Sequence, residues 1–149
     1  MGKYLLGIVG DTRPGDILAY NWTPPPYKGA DPVQWMGKKI IPSIITAFRE
    51  NNYDPYSAEK HKEAGFDYLI SFNGSLFHIA CDLSFISSQY GIYGLGTGGQ
   101  FALGYLYDRH TSITTNTLER HARRAVEIAS VFDINTAEPI QIVTQERVY

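Results

Sequence analysis

The sequence predicts an α+β protein whose strands and helices segregate into layers instead of alternating as βαβ units. β-rich runs cluster between Phe66 and Tyr93 around an Asn-Gly pair, and apolar residues recur at helical spacing over 31–50 and 100–132. A chain of 149 residues is the size of one domain with one core, so 1–149 is read as a single unit.

The elements follow in chain order. Leu5 to Val9 is a buried-strand run that ends in the glycine-containing stretch Gly10-Asp-Thr-Arg-Pro-Gly-Asp, read as a turn. Asn21 to Ala30 holds three consecutive prolines, which give an extended, stiff surface loop; its Pro-Pro-Pro-Tyr matches a WW-domain ligand pattern only at the level of chance. Asp31 and Pro32 supply an N-cap and a first-turn proline for a helix to about Glu50, with Val33, Met36, Ile40, Ile41, Ile44, Ile45 and Phe48 recurring at helical spacing. Pro42 lies inside that helix, where a proline costs about 3 kcal/mol unless the helix kinks or restarts, and a kink is expected.

Residues 51–65 are polar and predict a loop. Phe66 to Phe72, Asn73-Gly74 and Ser75 to Ala80 predict a type I′ hairpin, because both central residues must take positive φ. A turn over 82–89 leads to a third run, Tyr90 to Tyr93, read as a strand. Gln100 to Asp108 predicts a short helix. Asn116 to Phe132 predicts a longer one, with Leu118, Ala122, Ala125, Ala129 and Phe132 in a narrow stripe and Asn116-x-x-Glu119 as a capping box. His121 flanks that stripe, and Pro139 to Thr144 alternates as a last strand.

Composition excludes several classes. The net charge is −2 and no basic block exceeds two residues, which argues against nucleic acid as the main ligand. No apolar run is long enough to span a bilayer, so no membrane role is expected. Cys81 is the lone cysteine, which rules out an intrachain disulfide and suits a reducing, cytoplasmic setting. The four histidines show no ligand spacing, and His78 and Cys81 are out of phase on a strand.

Gly94, Gly96 and Gly99 spell G-x-G-x-x-G between a predicted strand and a predicted helix, with Glu119 about 20 residues on. A dinucleotide site needs that acid at the end of a second parallel strand, and Glu119 instead opens a helix. The phosphate-loop alternative fails because Gln100 stands where lysine is required. The simplest alternative is a sharp turn that packs a helix onto a sheet.

The hairpin Asp67-Tyr-Leu-Ile-Ser-Phe-Asn-Gly-Ser-Leu-Phe-His-Ile, the turn Gly94-Leu-Gly-Thr-Gly-Gly-Gln and the helix end Ala125-Val-Glu-Ile-Ala-Ser-Val-Phe-Asp-Ile-Asn-Thr resemble proteasome β subunits and the bacterial HslV peptidase. The segment Ile8-Val-Gly-Asp-Thr-Arg-Pro-Gly-Asp resembles that family as well, so the likeness runs over essentially the whole chain. It implies an αββα four-layer sandwich of the N-terminal nucleophile hydrolase type. The implied activity is that of a threonine peptidase, in which the mature chain's first residue attacks a peptide bond and its own amine is the base.

By position the resemblance implies Gly10 as the oxyanion-hole glycine, Thr97 as the hydroxyl beside the amine, and Asp133 with Thr136 as its supporting pair. It also implies an alkali-metal site on backbone carbonyls at Ser130, Asp133 and Thr136, and otherwise no cofactor. Implied partners are a peptide or unfolded-protein substrate, sister subunits in a homo-oligomeric ring, and an ATPase unfoldase. Without the family pattern, Thr97, Asp133 and Thr136 read as ordinary turn and cap residues.

The family carries its catalytic threonine and lysine on two strands before the oxyanion glycine, whereas nine residues precede Gly10. The expectation is therefore an N-terminally incomplete domain that lacks the nucleophile-bearing segment. Two readings stay open: part of a longer threonine peptidase, or a noncatalytic ring or scaffold subunit. A dinucleotide-binding protein using Gly94, Gly96 and Gly99 is the third.

Overall fold

The computed structural model describes residues 4–54 and 66–145. Four strands, β1 (Leu5–Gly10), β2 (Phe66–Phe72), β3 (Ser75–Ile79) and β4 (Phe85–Ser87), form one antiparallel sheet in the order β1-β2-β3-β4. Register is set by the pattern of burial. Phe66, Tyr68, Ile70 and Phe72 all point into the core from β2, and slipping β2 by one residue would turn the whole set outward. Leu5 pairs with Ser71 and Gly10 with Phe66 across β1 and β2. The hairpin is as expected, with Asn73 at φ 49° and Gly74 at φ 79°.

Helices cover one face of the sheet. Asp11 caps α1 (Thr12–Tyr20), its carboxylate accepting from the Arg13 N–H at 3.1 Å. The turn expected over this stretch is thus corrected to a helix. Pro14 lies in its first turn, where the proline's missing N–H would have had no partner in the helix, so the residue does not break it. Pro14, Ile17 and Leu18 are its buried side.

Asp31 caps the next helix as expected, accepting from the Gln34 N–H at 2.8 Å. That helix runs as α2 (Pro32–Trp35), a π-helical turn (Met36–Ile40) and α3 (Ile41–Glu50). The Ile41 N–H reaches back to the Met36 carbonyl, and the proline then falls in the first turn of α3. The expected interruption at Pro42 takes the form of this π-turn. Met36, Ile40, Ile44 and Phe48 are fully buried against the sheet's core side chains.

The triple-proline segment has no regular structure, and aromatic residues within it and packed around it hold it in place. Tyr4 donates its hydroxyl to the Pro25 carbonyl, Trp35 donates to the Tyr4 hydroxyl, and Trp22 donates to Ser43. Tyr27 packs on Trp35 and Phe72, so the tyrosine of the Pro-Pro-Pro-Tyr pattern is committed to the core. Most of the expected 51–65 loop lies outside the described residues.

Two expected strands are not formed. Tyr90 to Tyr93 is irregular, and the third run pairs instead through Phe85–Ser87, with Ile86 opposite His78. Pro139 to Thr144 is likewise irregular, although Gln145 beyond it holds Ser71 through both its amide atoms. Apolar alternation describes any extended chain with one covered side; it cannot say whether a ladder partner is present.

The remaining helices, α4 (Gly99–Arg109) and α5 (Leu118–Phe132), pack on each other around Ala102, Ala125 and Ala129. The expected alanine stripe is therefore the contact in its middle, while Leu118 and Phe132 at its ends stay exposed. The capping box is corrected: Thr117, not Asn116, precedes the first turn, and no side chain caps it. Among the described residues no helix is long and apolar enough to cross a membrane.

Candidate functional site

The two helices α4 and α5 run antiparallel, as their end contacts show. At the start of α4, Thr97 reaches Asp133 at the end of α5. Near the other end, the Tyr105 hydroxyl and His121 Nδ1 lie 2.9 Å apart, so His121 does flank the stripe.

The Thr97 end gathers most of the residues that the sequence picks out. Thr97 Oγ1 donates to Asp133 Oδ2 at 3.0 Å, and Thr136 Oγ1 donates to the same oxygen at 2.5 Å. Asn135 Nδ2 donates to Thr97 Oγ1 at 3.4 Å, and the Thr136 N–H closes the turn onto the Asp133 carbonyl at 3.1 Å. The Thr136 bond first, with Thr97 and Asn135 adding to it, holds the Asp133 carboxyl below the ordinary aspartate value despite partial desolvation. The site thus presents a carboxylate kept anionic and two hydroxyls aimed at it.

Glycines make that approach possible. A Cβ on Gly98 would stand 2.3 Å from Thr136 Oγ1 and 3.0 Å from Asp133 Oδ2. Gly94 and Gly99 meet backbone to backbone, a Cβ on Gly94 falling 2.2 Å from the Gly99 carbonyl oxygen. Gly96 has φ 78° and lies against Val9, the neighbour of Gly10, so the glycine turn sits at the end of β1. Gly10 itself, at φ 93°, is exposed there. Ser130 lies in the last turn of α5, its hydroxyl donating to the Glu127 carbonyl. Gly98 stands in the glycine turn but outside the G-x-G-x-x-G pattern, and the sequence gives it no role of its own; it is the glycine pressed against the polar group.

This geometry counts against the dinucleotide reading. Gly94 and Gly99 close on each other, every strand pair in the described sheet is antiparallel, and Glu119 stands in the first turn of α5. Among the described residues no cluster of three or more His, Cys, Asp or Glu side chains is placed to hold a metal ion.

No family model and no curated protein matches the chain. Solved structures do. Thiobacillus denitrificans BPH aligns at a TM-score of 0.65 and 22% identity, over 93% of this chain and 72% of BPH. The same protein in complex with epoxomicin aligns at 0.68 and 20% identity over the same shares. The fold is proteasome/HslV-like. Eukaryotic HslV from Trypanosoma brucei aligns at 0.57 and 16% identity, over 90% of this chain and 71% of HslV. The proteasome/HslV-like fold was legible from the hairpin, glycine turn and helix end, although no family model matches the sequence.

Proposed function

We propose that this chain is a subunit of a proteasome-like threonine peptidase and that Thr97, Asp133 and Thr136 support an N-terminal nucleophile carried on a segment outside this sequence. The observation that carries the reading is the convergence of two hydroxyls on one carboxylate oxygen beside Gly98. A turn built only to join α4 to its neighbours does not need a carboxylate held anionic by two side chains, one from just before α4 and one from just after α5.

In this reading the nucleophile's hydroxyl oxygen attacks the peptide carbonyl carbon and gives its proton to the chain's own α-amine. The amine passes a proton to the leaving amide nitrogen, and water then hydrolyses the ester. The Asp133 charge and its hydroxyls stabilise the cationic amine, and the Gly10 N–H, at the end of β1, receives the oxyanion. A second sheet packs on the face opposite α1 to α3, where Leu5, Val9 and Leu69 are half-buried, completing the αββα sandwich. The carbonyls of Ser130, Asp133 and Thr136 suit a hard alkali cation. The Asp133 carbonyl accepts one bond, from Thr136, and keeps a second lone pair. Substrate is an unfolded peptide, sister subunits form a ring, an ATPase unfoldase delivers substrate, and the setting is cytoplasmic.

The test is intact mass and N-terminal sequencing of the protein from its natural source, followed by a thermal-shift assay with epoxomicin, the ligand in one BPH structure. A processed N-terminal threonine and a shift with epoxomicin support the peptidase. A start at Met1 or Gly2 with no shift replaces it with the noncatalytic ring or scaffold subunit.

A further inference from the structure

The end of the α4–α5 pair away from Thr97 carries a second feature. A concavity of about 370 Å³ is lined by Tyr105, Arg109, Arg120, His121, Arg123, Arg124 and Glu127. Four of the chain's seven arginines line it, in a protein of net charge −2, and among the described residues Glu127 is the one carboxylate in its lining. α4 is 11 residues long, so this end lies about 15 Å from the Thr97 site at 1.5 Å per residue.

Helix stability does not account for the cluster. Arg120 stands in the first turn of α5, where the macrodipole disfavours a cation, and Arg123 and Arg124 follow at the i+3 and i+4 positions, where like charges repel. Existing partners neutralise little of it. Arg124 pairs with half-buried Glu127 at 3.0 Å, Arg109 pairs with Asp108 at 3.0 Å largely in solvent, and Arg123 reaches the Ile140 carbonyl at 3.5 Å. Tyr105 and His121 join the two helices within this lining, and the four exposed arginines surround the same concavity.

We infer that this concavity is a binding site for a small molecule bearing two or more phosphate groups. Guanidinium forks match tetrahedral phosphate oxygens in two-point contacts, and a polyphosphate offers enough acceptors to meet several forks at once, which a single planar carboxylate does not. The volume lies in the range of small-ligand pockets. Binding would offset the repulsion among Arg120, Arg123 and Arg124.

The experiment titrates the full 149-residue chain with inorganic tripolyphosphate, and separately with tricarballylate, by calorimetry and by NMR of the His121 ring. The expected result is saturable one-to-one binding of tripolyphosphate with a shift at His121, at least tenfold weaker for tricarballylate. Arg120→Gln with Arg123→Gln should weaken it tenfold or more, while Glu127→Gln, which frees Arg124, should tighten it. Absence of saturable binding, equal affinity for tricarballylate, or an unchanged affinity in the arginine variants would overturn the inference. Circular dichroism of each variant excludes unfolding as the cause, and the gain from Glu127→Gln cannot arise from unfolding at all.

Discussion

Thr97 and Asp133 stand 36 residues apart in the chain, and their side chains meet at 3.0 Å where the start of α4 touches the end of α5. The same Asp133 oxygen accepts from Thr136, so one carboxylate ties the glycine turn, the end of α5 and the turn after it into one unit.

That unit has a titration signature. Hydrogen bonds from Thr136 and Thr97 favour the ionised carboxylate, so Asp133 should titrate below 3.8 in the folded protein. A folded pKa below the unfolded one means that the contribution to stability is present above the unfolded value and is lost as pH falls through the folded value. Carboxyl carbon NMR should show the low midpoint. Thr136→Val should raise it more than Thr97→Val, because the Thr136 bond is the larger cause; midpoints unmoved by either change would refute the assignment.

Gly98 is expected to be intolerant of any side chain. A Cβ there meets Thr136 Oγ1 at 2.3 Å, Asp133 Oδ2 at 3.0 Å and the Ala129 side chain at 3.3 Å. Gly98→Ala should cost about 1–3 kcal/mol, in the range of overpacked sites, and should move the Asp133 midpoint upward as the hydroxyls are displaced. Gly104 is the control. A Cβ at Gly104 meets nothing within 4 Å, so Gly104→Ala in the middle of α4 should stabilise by about 0.5–1 kcal/mol in urea melts and leave the Asp133 midpoint alone.

Tyr68 is fully buried on β2, and its hydroxyl has no hydrogen-bond partner among the described residues. Burial first, then the nearby Tyr53 and Asp11, pushes its ionisation far above the ordinary tyrosine range. An unpartnered buried hydroxyl carries a desolvation penalty of about 1–3 kcal/mol, so Tyr68→Phe should be neutral or stabilising. Tyr68→Ala should cost about 3–5 kcal/mol, as other large core truncations do. Chemical denaturation of both variants separates the hydroxyl from the ring; a Tyr68→Phe loss as large as that of Tyr68→Ala would mean that the hydroxyl has a partner.

How much of this was legible in the sequence depends on the range of the interaction. Asn73-Gly74 dictates its turn through the φ angles of two adjacent residues, and Asp31-Pro32 starts a helix through one side chain and one ring, so both were readable. Helix α1 was hidden because Pro14 and Gly15 are turn residues in most settings. Here the proline falls in the first turn, and Gly15 lets the helix approach Ile8, a contact that exists only in three dimensions. Tyr90 to Tyr93 and Pro139 to Thr144 alternate like strands, but a strand also needs a partner, which alternation does not encode. Of the candidate site, Thr97, Asp133 and Thr136 were singled out through a family pattern; their mutual contact and the closeness of Gly98 depend on how α4 and α5 pack.

The glycine turn supplies the last prediction, because its two readings diverge in solution. If Gly94 and Gly99 served a dinucleotide, NAD or NADP would stabilise the folded chain by mass action, and a melting temperature would rise with ligand concentration. The geometry gives these glycines another purpose: they let two backbones touch, with a Cβ on Gly94 only 2.2 Å from the Gly99 carbonyl oxygen. Backbone cannot rotate away as a side-chain end can, so Gly94→Ala must move the start of α4. The variant should lose stability, by about 1–3 kcal/mol or more as for other overpacked sites, and should weaken the Thr97 to Asp133 bond that depends on that start. Neither NAD nor NADP should shift the melting temperature of the parent chain. A concentration-dependent rise with either, abolished by Gly94→Ala, would return the turn to nucleotide binding.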